Sequence, residues 1–218
     1  MKVKICGLTN LEDALAAAEA GADMLGFNFY PDSPRYIEPG RCEQIIAALR
    51  SKRVAAPTVG VFVNTPASDI AGMLHECGLD LAQLHGDEPP ATLEELGGRA
   101  FKAIRPQTAE EADTAVRRFA HLAHGAGPAL LVDAYRAGQY GGTGGVGDWS
   151  LAGSIAAGTP ILLAGGLTPD NVSAAVATVR PWGTDVASGV ESHPRRKDRQ
   201  LMEAFVRAVQ NFERETSQ

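Results

Sequence analysis

No stretch of this chain stays apolar for anything near the ~20 residues that a membrane-spanning helix needs. The apolar run at the N-terminus breaks at Gly7 and polar residues follow, so it does not read as a secretory signal. A cytoplasmic protein is the expectation. Cysteine is scarce: Cys6, Cys42 and Cys77 are odd in number, far apart and in no CxxC pair. That argues against a disulfide framework and a zinc site, and for a reducing compartment. Long basic runs are missing too, and the net charge is −6. Nucleic acid and anionic membrane are therefore poor partners. The densest basic cluster, Arg195-Arg196-Lys197, is short and is followed at once by Asp198. It reads as a solvated turn, with contact to an anionic ligand as the alternative.

What the chain does contain is regular alternation. Short β-branched or aliphatic runs are expected to form strands at Val3–Cys6, Asp23–Asn28, Thr58–Val63, Leu81–Leu84, Ala100–Ile104, Ala129–Asp133, Pro160–Ala164 and Thr184–Ala187. After each comes a helical pattern, starting near Leu11, Glu38, Ala67, Pro90, Thr108, Asp148, Pro169 and Asp198, the last running to about Glu213. Thr9 or Asn10 is positioned to cap the first helix, and Gly21 and Gly78 to end the first and third. Thr168-Pro169-Asp170 reads as an N-cap followed by proline at the first helical position, with Thr65-Pro66 a second example. Eight such units in 218 residues leave no room for a second domain. The expectation is a single α/β domain over residues 1–218, a (β/α)₈ TIM barrel, with an open doubly wound sheet as the other parallel architecture.

In such a barrel the chemistry sits at the C-terminal ends of the strands. The first strand ends on a cysteine beside a glycine turn. A buried cysteine is generically a small hydrophobe, but that location marks Cys6 as a candidate base. Asp133 closes the apolar run Ala129-Leu130-Leu131-Val132 and is the candidate acid, the alternative being a carboxylate that caps its own loop. Arg35 follows a proline-bounded loop, and its fork suits a carboxylate or phosphate; a surface ion pair with Asp32 or Glu38 is the alternative. His85 either orients a substrate or hydrogen-bonds its own loop. The turns Gly165-Gly166-Leu167-Thr168 and Ser188-Gly189-Val190-Glu191 follow strands seven and eight. Small residues there leave backbone N–H groups able to face an anion, which implies a small phosphorylated ligand.

Other patterns fail on context. Gly142-Thr143-Gly144-Gly145-Val146-Gly147 fits GxGxxG but does not directly follow its strand, and no acidic residue stands about 20 positions on. A mobile lid fits better than a dinucleotide site. His121 and His124 have no evident third ligand, so no metal is expected.

Taken together, these residues resemble the phosphoribosylanthranilate isomerase family across essentially the whole chain. The resemblance rests on Lys4-Ile5-Cys6-Gly7-Leu8-Thr9, Ser33-Pro34-Arg35-Tyr36, Gln83-Leu84-His85-Gly86, Leu131-Val132-Asp133, Gly165-Gly166-Leu167 and Asp185-Val186-Ala187-Ser188-Gly189-Val190-Glu191. It implies a (β/α)₈ barrel and an Amadori rearrangement that requires no cofactor, carried out by a monomer or homodimer. By the same resemblance Cys6 is the general base, Asp133 the general acid, and Arg35 the group that meets the anthranilate carboxylate. The resemblance also makes the turns at Gly166 and at Ser188–Gly189 the phosphate site. The chain departs from the family pattern where Gly145-Val146-Gly147 precedes Asp148-Trp149, without the lysine and aromatic residue common there. It departs again at Pro194-Arg195-Arg196-Lys197-Asp198, where Pro-Gly usually precedes Lys-Asp.

Three other readings compete. The histidine-pathway aldose isomerase runs the same rearrangement but uses an aspartate where this chain has Cys6. The indole-forming barrel of the same pathway needs a strand-end lysine that is missing here. An inactive phosphate-binding barrel would have no use for Cys6, Arg35 and Asp133 together.

Overall fold

The computed structural model describes residues 1–123, 127–134 and 149–216. The glycine-rich segment 141–147, Asp148 and His124, all singled out above, lie outside the described residues.

Eight parallel strands close into a barrel in sequence order. They are β1 (Lys2–Ile5), β2 (Met24–Asn28), β3 (Thr58–Phe62), β4 (Leu81–Leu84), β5 (Ala100–Ile104), β6 (Leu130–Asp133), β7 (Ile161–Ala164) and β8 (Gly183–Val186). The helices are α1 (Leu11–Glu19), α2 (Pro39–Ser51), α3 (Ala67–Glu76), α4 (Pro90–Glu95), α5 (Ala109–Phe119), α6 (Trp149–Ala156), α7 (Val172–Val179) and α8 (Arg199–Thr216). Closure is made by β1 lying parallel to β8, with Lys2 opposite Gly183 and Lys4 opposite Asp185.

Period-two alternation gives each strand two destinations. Val3 and Ile5 of β1 join Leu25, Phe27, Leu84, Ile104, Val132 and Leu163 in the layer between strands and helices. Met24, Val59, Phe101, Ala103, Leu131, Leu162 and Ala164 fill the barrel itself. Strands buried on both faces read as continuous apolar runs, which is why they stand out in the sequence. Polar side chains interrupt the buried strand positions at Lys4, Thr58, Gln83, Lys102 and Thr184, and Asp185 in β8 is half-buried.

The helix boundaries follow local chemistry. Asn10 caps α1, its Oδ1 accepting from Asp13 N at 2.8 Å. Gly21 (φ 97°) and Gly78 (φ 71°) lie just past the ends of α1 and α3 in the left-handed conformation expected of C′ glycines. Two proline starts differ from expectation. Pro66 is itself the cap residue of α3 rather than its first helical residue, so the cap falls one residue later than Thr65. Helix α7 begins at Val172 with Asn171 as its cap, because Asn171 is bound into the preceding turn. Its Oδ1 accepts from Thr168 N at 2.8 Å and its Nδ2 donates to Gly166 O at 3.0 Å.

The segment after β8 is not a solvated turn. Glu191–His193 (β9) and Arg196–Lys197 (β10) form an antiparallel hairpin. Arg195, in its turn, adopts φ 74°. Arg196 is drawn to the acidic first turn of α1, 2.6 Å from Glu12 and 3.7 Å from Asp13. Lys197 turns inward and is buried.

Candidate active site

Cys6 immediately follows β1 and is 8% exposed. Its backbone N–H donates to Val186 O at 2.8 Å, and Leu8 N donates to Gly26 O at 3.0 Å, so the turn carrying it is pinned to both neighbouring strands. Gly7 takes φ 75°, and a side chain there would collide with Arg35, whose stem lies against it. Below Cys6, Lys4 is fully buried and donates to Asp185 Oδ1 at 2.8 Å. Burial alone would lower the affinity of Lys4 for its proton. The charge of Asp185, with Cys6 contributing in the same sense, outweighs burial and holds it well above the usual lysine range.

Arg35 is held rigidly, as its loop suggests. Asn28 at the end of β2 donates from Nδ2 to Ser33 Oγ at 3.1 Å, and Ser33 Oγ accepts from Arg35 N at 3.1 Å. Its partner, however, is neither Asp32 nor Glu38. Nε and Nη2 of Arg35 donate to Glu191 at 2.8 and 2.7 Å, a bidentate pair across 156 residues of sequence. Glu191 also accepts from Lys197 Nζ at 3.0 Å. Burial would raise the Glu191 carboxyl, but the Arg35 hydrogen bonds and the Lys197 charge override it and hold it below the carboxylate range. Lys197 is pushed down by burial, only partly offset by Glu191.

On the other side of the mouth, Asp133 accepts from Arg105 Nε at 2.9 Å, and His85 Nε2 lies 3.9 Å from the same carboxylate oxygen. Arg105 is 59% exposed, so this ion pair is screened by solvent and worth at most ~1 kcal/mol. Arg105 Nη2 also stands 2.7 Å from His85 Nε2, and the Gln83 amide 2.9 Å from Nδ1. A guanidinium can only donate, so Nε2 is the acceptor and Nδ1 carries the proton. The Gln83 amide as oriented sets Nε2 against Nδ1 and leaves its buried Oε1 without a partner among the described residues; turning the amide over puts that oxygen on the Nδ1 proton. Burial, followed by the charge of Arg105, pushes His85 down to about 4, so the imidazole is neutral near pH 7.

The glycine turns meet. Gly165 (φ 101°) and Gly166 (φ 65°) both need glycine's conformational freedom. A Cβ on Gly166 would meet nothing within 4 Å among the described residues. Gly189 is pressed against the Leu167 carbonyl, where any side chain would collide, and this joins the β7 and β8 turns into one surface. Ser188–Val190 forms a short 3-10 turn directly after β8. Loops after strands seven and eight plus the N-terminus of a short extra helical turn are the phosphate-binding arrangement of this architecture.

The structure thus brings Cys6, Arg35, His85, Asp133 and both glycine turns to the C-terminal ends of the strands. Cys6 and Asp133 belong to β1 and β6, with β8 and β7 between them on the shorter way round. Sequence reasoning assigned no role to Lys4, Asp185 or Arg105, placed Glu191 only in the turn after strand eight, and read Lys197 as part of a solvated turn. The available signal was a charged residue at or beside a strand end in an otherwise apolar run. A cavity of about 630 Å³ opens beside this mouth, lined by His85, Arg105, Glu88, Lys102 and Phe119 among others. Lys102 belongs there rather than to the barrel interior: its Nζ donates to Gly86 O at 2.5 Å and to buried Glu88 at 3.0 Å. Neither Cys6, Asp133 nor either glycine turn lines that cavity, so the chemistry is assigned to the strand ends and not to it.

A closed eight-stranded parallel barrel with titratable groups and glycine turns gathered at one mouth defines a (β/α)₈-barrel enzyme. Over residues 3–208 the chain matches the N-(5′-phosphoribosyl)anthranilate isomerase family, and it belongs to that family. It is 50% identical over 210 residues to the N-(5′-phosphoribosyl)anthranilate isomerase of Magnetococcus marinus, covering 96% of this chain and 95% of that one. The crystal structure of phosphoribosyl anthranilate isomerase from Thermotoga maritima superposes with a TM-score of 0.85 at 36% identity, over 97% of this chain and 99% of the other. A further structure of this kind of isomerase, in complex with reduced 1-(o-carboxyphenylamino)-1-deoxyribulose 5-phosphate, gives a TM-score of 0.82 at 34% identity, with 97% and 99% covered.

Proposed function

We propose that this chain, acting as one catalytic domain, converts N-(5′-phosphoribosyl)anthranilate to 1-(2-carboxyphenylamino)-1-deoxyribulose 5-phosphate in tryptophan biosynthesis, with Asp133 as general acid and Cys6 as general base. The observation that carries the reading is membership of the isomerase family across residues 3–208, with both candidate groups at one barrel mouth. Asp133 protonates the furanose ring oxygen, the C1′–O bond breaks, and the anilino nitrogen forms a Schiff base. The Cys6 thiolate then takes the proton from C2′. The electron pair of that C–H bond moves into the protonated imine, and the resulting enolamine tautomerises to the ketone. The substrate's own imine is the electron sink.

The remaining groups position the substrate. The turns at Gly165–Gly166 and Ser188–Gly189 take the phosphate on backbone N–H groups. Arg35 offers the anthranilate carboxylate the guanidinium N–H groups that Glu191 does not occupy. Neutral His85, fixed between Gln83 and Arg105, faces the Asp133 side.

The test is the loss of phosphoribosylanthranilate fluorescence on adding purified protein. Turnover is expected, with near abolition by Asp133→Asn and a large loss with Cys6→Ser. Full rate in Cys6→Ser would remove the base assignment. Turnover of the bisphosphorylated histidine-pathway precursor instead would replace the substrate.

A further inference from the structure

Lys4 is two residues before Cys6 on β1, so both side chains point into the barrel. It is fully buried, and its register partner on β8, Asp185, accepts from its Nζ at 2.8 Å. Beside them, on the neighbouring strand β2, stands Gly26. A Cβ on Gly26 would lie 2.8 Å from Cys6 Sγ and 3.0 Å from Lys4 Nζ. The missing side chain leaves one small space into which sulfur and ammonium both reach.

Stability does not account for this pair. The neighbouring interior positions are apolar, among them Met24, Val59, Phe101 and Leu162. Burying two ions is commonly no better than burying two apolar side chains of similar size. The other charges around Cys6 are already engaged. Arg35, from the β2–α2 loop, and Lys197, on β10, both share Glu191 of β9. A substrate carboxylate on Arg35 would cancel more of that charge. Among the described residues, three cations against the two carboxylates Asp185 and Glu191 leave a net positive charge, and Lys4 is the buried one that does not share Glu191.

We propose that Lys4 is the positioning residue for Cys6: held by Asp185 beneath the barrel mouth, its ammonium directs the sulfur and supplies the fixed positive charge that the thiolate faces. This rests on Cys6 being the base. Lys4 keeps its protons throughout; the proton that moves passes from C2′ to Sγ.

The experiment compares the parent with Lys4→Met, the doubly apolar Lys4→Met/Asp185→Leu, and Cys6→Ser. Steady-state turnover is followed by phosphoribosylanthranilate fluorescence. Iodoacetamide labelling of Cys6 is followed by mass spectrometry from neutral to alkaline pH, without substrate. Loss of the ammonium is expected to lower kcat about 100-fold with KM within about threefold. The labelling profile is expected to move to higher pH. The double variant, which replaces the ion pair with an apolar pair, is expected to melt no lower than the parent yet carry the same deficit. If Lys4→Met fails to fold, the double variant alone decides. Kinetics within about threefold of the parent, or a labelling profile that stays where it was, would overturn the proposal. Full turnover by Cys6→Ser would instead bring down the base assignment, while labelling would still judge Lys4.

Discussion

At the scale of single residues, the site depends on a few positions where no other side chain fits. Gly26→Ala would push a methyl group between Cys6 Sγ and Lys4 Nζ. Overpacking of this kind costs about 1–3 kcal/mol, which a denaturant titration would read. A loss of kcat larger than any rise in KM is expected alongside it. Glu191→Gln would weaken the hold on Arg35 without emptying the space, so KM is expected to rise about tenfold with kcat less affected, equivalent to ~1.4 kcal/mol. Cys6, Asp133 and His85 were legible in the sequence as candidates because each closes or follows an apolar run, and Arg35 because a proline-bounded loop carries it. The ion-pair partners were not. Lys4 and Asp185 are 181 residues apart and Arg35 and Glu191 156 apart, so each pair exists only once the barrel closes.

At the scale of elements, strands were easier to read than what joins them. Apolar runs buried on both faces announce themselves, and all eight strands fall within two residues of expectation. The β9–β10 hairpin was hidden because Pro194-Arg195-Arg196 has the composition of a solvated turn. Its two short strands are held by charges supplied from α1 and β9. Arg195, at φ 74°, occupies a conformation that costs a non-glycine residue about 1–2 kcal/mol. Arg195→Gly is therefore expected to stabilise the protein by about 1 kcal/mol, a rise in Tm of roughly 2–4 °C by calorimetry. The opposite result is expected at Glu88, which accepts from Asn64 N at 2.8 Å and pairs with buried Lys102, tying the loops after β3 and β4 to β5. Glu88→Gln leaves that lysine without a counter-charge and is expected to cost about 3–5 kcal/mol in urea unfolding.

At the scale of the whole molecule, His85 links stability to pH. The unfolded chain binds its proton near the ordinary 6.5, whereas the folded site does so only near about 4. Across that window the unfolded state holds more protons, so stability is intact above it and falls as pH drops through it, by up to about 3 kcal/mol. Glu191, held below its ordinary 4.5, adds a further loss at lower pH still, once it protonates. Urea midpoints followed from pH 7 downward check this, and His85→Gln is expected to flatten the upper part of the curve. Closing β1 onto β8 also sets a schedule. Lys4 and Cys6 are made early, but Asp185 follows Lys4 by 181 residues, about 10–40 s later at ordinary translation rates. Throughout that interval the nascent chain carries Cys6 and Lys4 without the carboxylate that holds the lysine in place. A product that stops short of β8 would keep the cysteine and have no enzyme around it.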